Sequence, residues 1–254
     1  MIAIWALAKA TVQEAIRRRV LNVLLLFAVA TVFFSQVFKS FAPGEEEKFL
    51  IDMGINTVRL FGVLIAIVLG ASLIPTEIER KTIHVILAKP VNRTHFIAGK
   101  FLGSAIAVVG SAALMAAVFL VVYRIRQGPI STAMFAGTAM TLFEILIFNS
   151  IVTAVASFSS SIFVVVFSIA AYLLGHIYTL FEEMGKVAEH MYTRVMLGLV
   201  GAVAPHMEMY DFTRPILLEQ PIKLMDVLGP IGYAFLYSFI MLGVALIFFD
   251  RREF

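Results

Sequence analysis

The sequence predicts an all-α integral membrane protein, and three observations carry that expectation. The 254 residues are 61% hydrophobic and 15% charged, with a mean hydropathy of +0.95, whereas soluble domains are about half apolar and about a quarter charged. Six segments reach the length of about 20 mostly apolar residues that a helix needs to cross a bilayer. The charged residues gather between those segments and the net charge is only +3. They therefore read as topology signals and not as a nucleic-acid footprint. No cysteine is present, which excludes disulfides, iron–sulfur ligation and thiolate zinc sites.

The chain opens with "MIAIWALAKATVQEAIRRR" over residues 1–19. Ala8-Lys9-Ala10 mimics a leader cleavage site, but a signal peptide places its positive charge before the apolar run. Here Arg17, Arg18 and Arg19 follow it. The piece is expected to stay on the chain as an N-terminal interfacial helix. Trp5, Ala8, Val12, Ala15 and Ile16 share one face at helical spacing, with Lys9, Gln13 and Arg17 opposite.

Residues 20–254 form the membrane domain, with six transmembrane helices expected at 20–38, 55–74, 101–123, 133–155, 162–181 and 232–249. The second carries Arg59 toward one end, where it is expected to snorkel to the interface. The fourth carries Glu144 and Asn149. In the third, Gly99, Gly103, Ala107 and Ser111 recur every four residues. Such a stripe lets two helix backbones approach closely, and packing within the chain is expected in preference to a dimer seam.

Orientation follows from Lys and Arg in the short flanks. With the N-terminus in the cytoplasm, that side receives Lys9, Arg17, Arg18, Arg19, Arg80, Lys81, Lys89, Arg93, Lys100, Arg251 and Arg252. The opposite side, which includes the acidic "GEEEK" at 44–48, holds the remaining basic residues on more chain. The density favours both termini inside, and an even number of spans agrees.

By this topology the charged piece "EIERKTIHVILAKPVNRTHFIAGK" (77–100) faces the cytoplasm. A helical wheel puts Glu77, Arg80, Lys81 and His84 in one polar wedge, with Ile78, Thr82, Val85 and Ile86 on another face. Glu77 and Lys81 have i,i+4 spacing. Pro90 stops the helix, and Asn92 or Thr94 can cap the next one. This shape suits a solvated connection and a rigid knob for a cytoplasmic partner equally well.

The same stretch resembles the first cytoplasmic loop of ABC-2-type transporter permeases. In that family an acidic–basic–Thr cluster precedes an apolar helix, then Pro, a small capping residue, Arg, and Gly-Lys opening the next helix. Glu79, Arg80, Thr82, Pro90, Arg93, Gly99 and Lys100 stand in matching places. Lys81 departs from a frequent Gly and Asn92 from a common Ser. "VAPHMEMYDF" (203–212) is similar to a Pro-containing motif before the last span. The Lys-Pro-Val-x-Arg run is similar to the branch associated with multicopper-enzyme maturation.

The resemblance implies a permease subunit of an ATP-driven exporter in a prokaryotic cytoplasmic (inner) membrane. It implies a coupling loop at 75–100 and an extracytoplasmic segment at 182–231. Glu77, Glu79, Arg80, Lys81, Thr82, His84, Pro90 and Arg93 would couple the chain to a cytoplasmic ABC ATPase. Two ATPase subunits and a second permease subunit, an identical or a related chain, would be the partners, with ATP and Mg on the ATPase. "THFIAGKF" agrees: it has Gly99-Lys100, but Thr94 and Phe101 replace the first Gly and the Ser/Thr of a P-loop. The chain itself is expected to be non-catalytic and to bind no cofactor.

Glu144 and Asn149 suggest a substrate-pathway or proton site, or a helix–helix hydrogen bond, because an acid in lipid faces a protein interior or water. His190-Met191 and His206-Met207 with Met209 would suit copper(I). Met184, Val187, Met191, Val195 and Leu199 also recur as one apolar helical face, the commoner use of Met, so no metal site is expected. His176 is expected to be a hydrogen-bonded packing residue. A stand-alone channel or secondary transporter using Glu144 is the main alternative, and a membrane anchor that recruits partners is another.

Overall fold

The computed structural model describes residues 2–16, 26–27, 30, 46–79, 92–177, 183–184, 190–193, 195–196, 198, 204–218, 220 and 222–251. The described residues are helical throughout their ordered elements. These are α1 (Ile2–Ala15), α2 (Glu46–Leu73), α3 (Pro75–Glu79), α4 (Arg93–Arg126), α5 (Thr132–Ala156) and α6 (Ser161–His176). A 3₁₀ turn (Met207–Tyr210), α7 (Thr213–Leu217) and α8 (Leu224–Asp250) complete the chain.

Four apolar rods are long enough to cross a membrane: Glu47–Glu79, Arg93–Arg126, Thr132–Ala156 and Leu224–Asp250. They correspond to the second, third, fourth and sixth expected spans. The first expected span lies outside the described residues except at 26, 27 and 30, where Phe27 meets Phe61 of α2 edge-on at 5.7 Å. The fifth is shorter than expected. Its helix ends at His176 after 16 residues, about 24 Å of rise, and residues 178–182 lie outside the described residues.

The first rod bends at Ile74, because Pro75 has no N–H to donate back into α2. The next turn restarts with Ile78 N–H donating to the Ile74 carbonyl at 3.2 Å. The helix therefore stops being straight where the charged piece begins. Asn92 stands at the N-cap of α4 with extended backbone and makes no side-chain cap.

α5 is the central helix, touching α2, α4, α6 and α8. Ser131 caps it, its hydroxyl accepting from Met134 N–H at 3.1 Å. Its buried threonines are satisfied within the helix. Thr138, Thr141 and Thr153 donate to the carbonyls of Met134, Gly137 and Asn149 at 2.8, 3.2 and 2.8 Å. That lets a Thr-rich helix sit where no water reaches. Outward faces are also apolar: Ile125 on α4, Ile162 on α6 and Phe239 on α8 are each at least three-quarters exposed, as lipid-facing positions would be.

α1 packs along α4, and the Gly99–Gly103 part of the small-residue stripe makes that possible. A Cβ on Gly103 would lie 2.7 Å from the Ala8 carbonyl and 2.5 Å from Thr11 Cβ; one on Gly99 would lie 2.7 Å from Leu7 Cβ. The stripe thus serves packing within the chain. Against α4 the helix turns its small residues. Ala8, Thr11 and Ala15 are inside, while Trp5 and Ile16 are exposed. Only small side chains fit against the glycine groove, so the two bulky residues turn away from it.

Candidate functional site

The densest polar chemistry lies in the middle of the bundle. Arg59 stands thirteen residues beyond the start of α2, about 20 Å along the helix. Glu144 stands twelve residues into α5. Both are almost wholly buried. The Arg59 Nε donates to Glu144 Oε2 at 2.8 Å, and its Nη1 donates to Asn56 Oδ1 at 2.7 Å. Asn56 is oriented in turn by donating Nδ2 to Asp52 Oδ1 at 2.9 Å. The expectation that Arg59 would snorkel to the interface is corrected. α2 begins nine residues before the expected span, which moves Arg59 to mid-helix, where only a carboxylate can compensate its charge.

Glu144 uses its second oxygen as well. His176 Nε2 lies 3.1 Å from Glu144 Oε1, and His176 Nδ1 lies 3.0 Å from the carbonyl of Tyr172. A fourth group arrives from outside the long helices: Asp211 Oδ1 is 3.7 Å from Arg59 Nη2. Four elements therefore converge, namely α2, α5, the end of α6 and the strand of chain between the 3₁₀ turn and α7.

The segment carrying Asp211 is folded into the bundle by small residues facing it. A Cβ on Gly175 would meet Met207 Sδ at 2.9 Å, and one on Gly137 would meet Phe212 Cβ at 2.9 Å. Tyr210 is fully buried and donates its hydroxyl to the Pro230 carbonyl at 2.6 Å. His206 stacks on Tyr233 at 5.6 Å, its backbone N–H donating to the Tyr233 hydroxyl. Asp211 remains half-exposed and lines a cavity of about 390 Å³ with Phe212, Gln220 and Asp226. Burial pushes its carboxyl up, but hydrogen bonds from Thr213 and the charge of Arg59 prevail and hold it below its ordinary value.

At one end of the bundle a second ionic node joins α1, α3 and α4. Lys100 is buried and donates Nζ to Glu77 Oε1 at 2.6 Å, with Glu14 Oε2 at 3.7 Å and the Phe96 ring at 6.0 Å. Arg93 at the start of α4 donates to the Asp250 carbonyl at 2.6 Å, tying it to the end of α8. Glu79 is exposed at the end of α3. Arg80, Lys81, Thr82, His84 and Pro90 lie outside the described residues. Asn149 donates to the Ser104 hydroxyl at 3.1 Å, a hydrogen bond between α5 and α4.

Sequence reasoning found Glu144 but missed its partner Arg59 and the Asp211 that Arg59 also meets, and it read His176 as a hydrogen-bonded packing residue without naming Glu144 as its neighbour. One signal was available. Glu144 is the lone charge of one apolar helix and Arg59 the innermost charge of another, and isolated opposite charges in lipid find each other. Among the described residues no group of three or more His, Asp or Glu side chains could hold a metal ion. His206 and Met207 are occupied by Tyr233 and Gly175, and Met184, Met191 and Val195 are exposed.

No curated protein matches the chain. The model of the family described as ABC-2 family transporter protein matches residues 5–254, nearly the full length. A bundle of long apolar helices with charges buried between them is a multi-pass membrane protein, and this chain belongs to the ABC-2 family of transporter proteins.

Proposed function

We propose that this chain is the membrane permease subunit of an ATP-driven exporter, paired with an identical chain and driven by two cytoplasmic ABC ATPases. The observation that carries the reading is the family match over residues 5–254, whose members are transmembrane subunits associated with such ATPases. The departure of Thr94 and Phe101 from the P-loop pattern supports it, since ATP would then be hydrolysed on another chain. We read the Lys-Pro-Val-x-Arg run as the mark of the multicopper-enzyme-maturation branch.

In this reading both termini are cytoplasmic, α1 lies along the inner interface, six helices span the membrane, and residues 75–100 dock on the ATPase. The ionic node supports a mechanical role for that stretch. Glu77 is held by a buried Lys100 that also neighbours Glu14, so a push on α3 reaches α4 and α1 through short, charge-assisted contacts. Arg93 passes the same push to the end of α8. Glu79, Arg80, Lys81, Thr82, His84 and Pro90 form the docking surface. Glu144 stays in the interior as a helix-locking group and Asn149 as a fixed hydrogen bond.

The test is purification of the tagged chain from its native host in mild detergent. A stoichiometric P-loop ATPase is expected with the wild type and is expected to be lost with Arg80→Glu and Lys81→Glu together, while the variant still inserts. A chain that purifies alone and transports in liposomes by a gradient, with loss on Glu144→Gln, would establish the stand-alone transporter instead.

A further inference from the structure

The two ring nitrogens of His176 both face acceptors. Nδ1 is 3.0 Å from the Tyr172 carbonyl and Nε2 is 3.1 Å from Glu144 Oε1. A neutral imidazole has one N–H and one lone pair, so with Glu144 ionised against Arg59 the neutral form would set a lone pair against a lone pair at one of these contacts. Glu144 Oε1 and His176 Nε2 are both sealed from solvent, and neither makes an aligned hydrogen bond among the described residues. Their approach to 3.1 Å is explained by opposite charge.

The charges around them point the same way. α2 brings Arg59, α5 brings Glu144, and the turn packed against α6 brings Glu208 and Tyr210, with Asp211 directly after. The Tyr210 hydroxyl is committed to Pro230, and α6 itself adds Tyr172, four residues before His176. Of the groups in direct ionic contact, Arg59 supplies one positive charge against the two carboxylates of Glu144 and Asp211. With Glu144 ionised against Arg59, a charged His176 offsets the second carboxylate, and an uncompensated charge at the buried Glu144 is costly.

We propose that His176 is a proton-binding site: in this conformation it is an imidazolium clamped between Glu144 and the Tyr172 carbonyl, and it gives its proton to water when the end of α6 parts from α5. An imidazole facing water is mostly neutral at and above neutral pH, so separation releases the proton and closure takes it up. The proton is thus a ligand of the closed arrangement of α2, α5, α6 and the 204–218 segment. The step is independent of ATPase docking.

The test uses the full chain in nanodiscs with ¹⁵N-labelled histidine. The chain has five histidines, so a variant carrying His84→Gln, His95→Gln, His190→Gln and His206→Gln leaves His176 alone in the spectrum. The expected result at pH 7 is two protonated ring nitrogens. One protonated and one bare nitrogen would overturn the proposal. A second measurement needs only the wild type and His176→Gln. The thermal midpoint of the wild type is expected to fall as pH rises from neutral to mildly alkaline, because the folded state then binds a proton that the unfolded state lacks. That limb is expected to be missing in His176→Gln. A wild-type midpoint that is flat over this range would contradict the proposal, whatever the variant does.

Discussion

Arg59 and Glu144 show how a membrane interior treats charge. Removing one partner leaves the other buried without compensation, which costs about 3–5 kcal/mol, whereas replacing both with apolar groups of similar volume is close to neutral. Arg59→Met is therefore expected to lower the thermal midpoint in detergent sharply. Arg59→Met with Glu144→Leu is expected to recover most of the loss, and a double variant as unstable as the single one would show that the pair is not the lock. Asp211 adds a pH dependence of the opposite sense to that of His176. Its carboxyl is held below the ordinary value, so its contribution is full above the unfolded-state value. That contribution disappears as pH falls through the lowered folded value. The acid limb of the wild-type stability curve should thus weaken in Asp211→Asn, as followed by thermal unfolding from neutral pH down to below 3.8, the ordinary Asp value. At this scale Glu144 was legible in the sequence, since a lone acid among 25 helical residues is conspicuous. Asp211 was not, because it sits in a polar segment where an Asp is ordinary and only the fold carries it to Arg59.

Among the elements, length and hydropathy gave good guidance where a helix is both long and apolar. α4, α5 and α8 lie where the sequence puts spans, each with a few more residues at the ends. Those ends carry charge or polar side chains that a hydropathy window rejects although the helix continues through them. α6 stops at His176, short of the expected end at 181, and the expected span beyond residue 177 lies outside the described residues. The fourth expected span, with its Glu and Asn, is the innermost helix of all: burial among other helices supplies the partners that lipid would not. α1 offers a direct test of packing. Gly103→Leu places side-chain atoms where the Ala8 carbonyl and Thr11 already stand, so α1 is expected to lift from α4. The chain has no native cysteine, so Thr11→Cys gives a single reporter. It is expected to resist a water-soluble maleimide in the parent and to react in the Gly103→Leu background. Continued protection would mean that α1 is held by its ends, including Glu14 at Lys100, and not by the glycine groove.

On the scale of the whole molecule, two ionic assemblies occupy different levels of one helical bundle. The Lys100 node binds the start of the 75–100 stretch to α1 and α4, and the Arg59–Glu144–His176 centre binds α2, α5 and α6 to the segment before α8. α2, with α3 as its continuation, links them: it carries Arg59 in its middle and delivers Glu77 at its far end. A displacement of α3 by a cytoplasmic partner would therefore bear on both assemblies through one rod. The bend at Ile74 and the new start of α4 at Arg93 set the charged stretch off from the helices around it, while Pro90 and the polar wedge beyond Glu77 lie outside the described residues. Its fastening was not legible in the sequence, because Lys100 reads as part of the same loop until the helix places it inside. The most direct measurement is photo-crosslinking in the native host from position 79, which is exposed at the end of α3. With Glu79 replaced by a photoreactive amino acid, the expected product is an adduct with a P-loop ATPase, identified by mass spectrometry and abolished by Arg80→Glu with Lys81→Glu. Adducts with lipid or with this chain alone, at normal expression and insertion, would contradict the account that this stretch couples the permease to an ATPase.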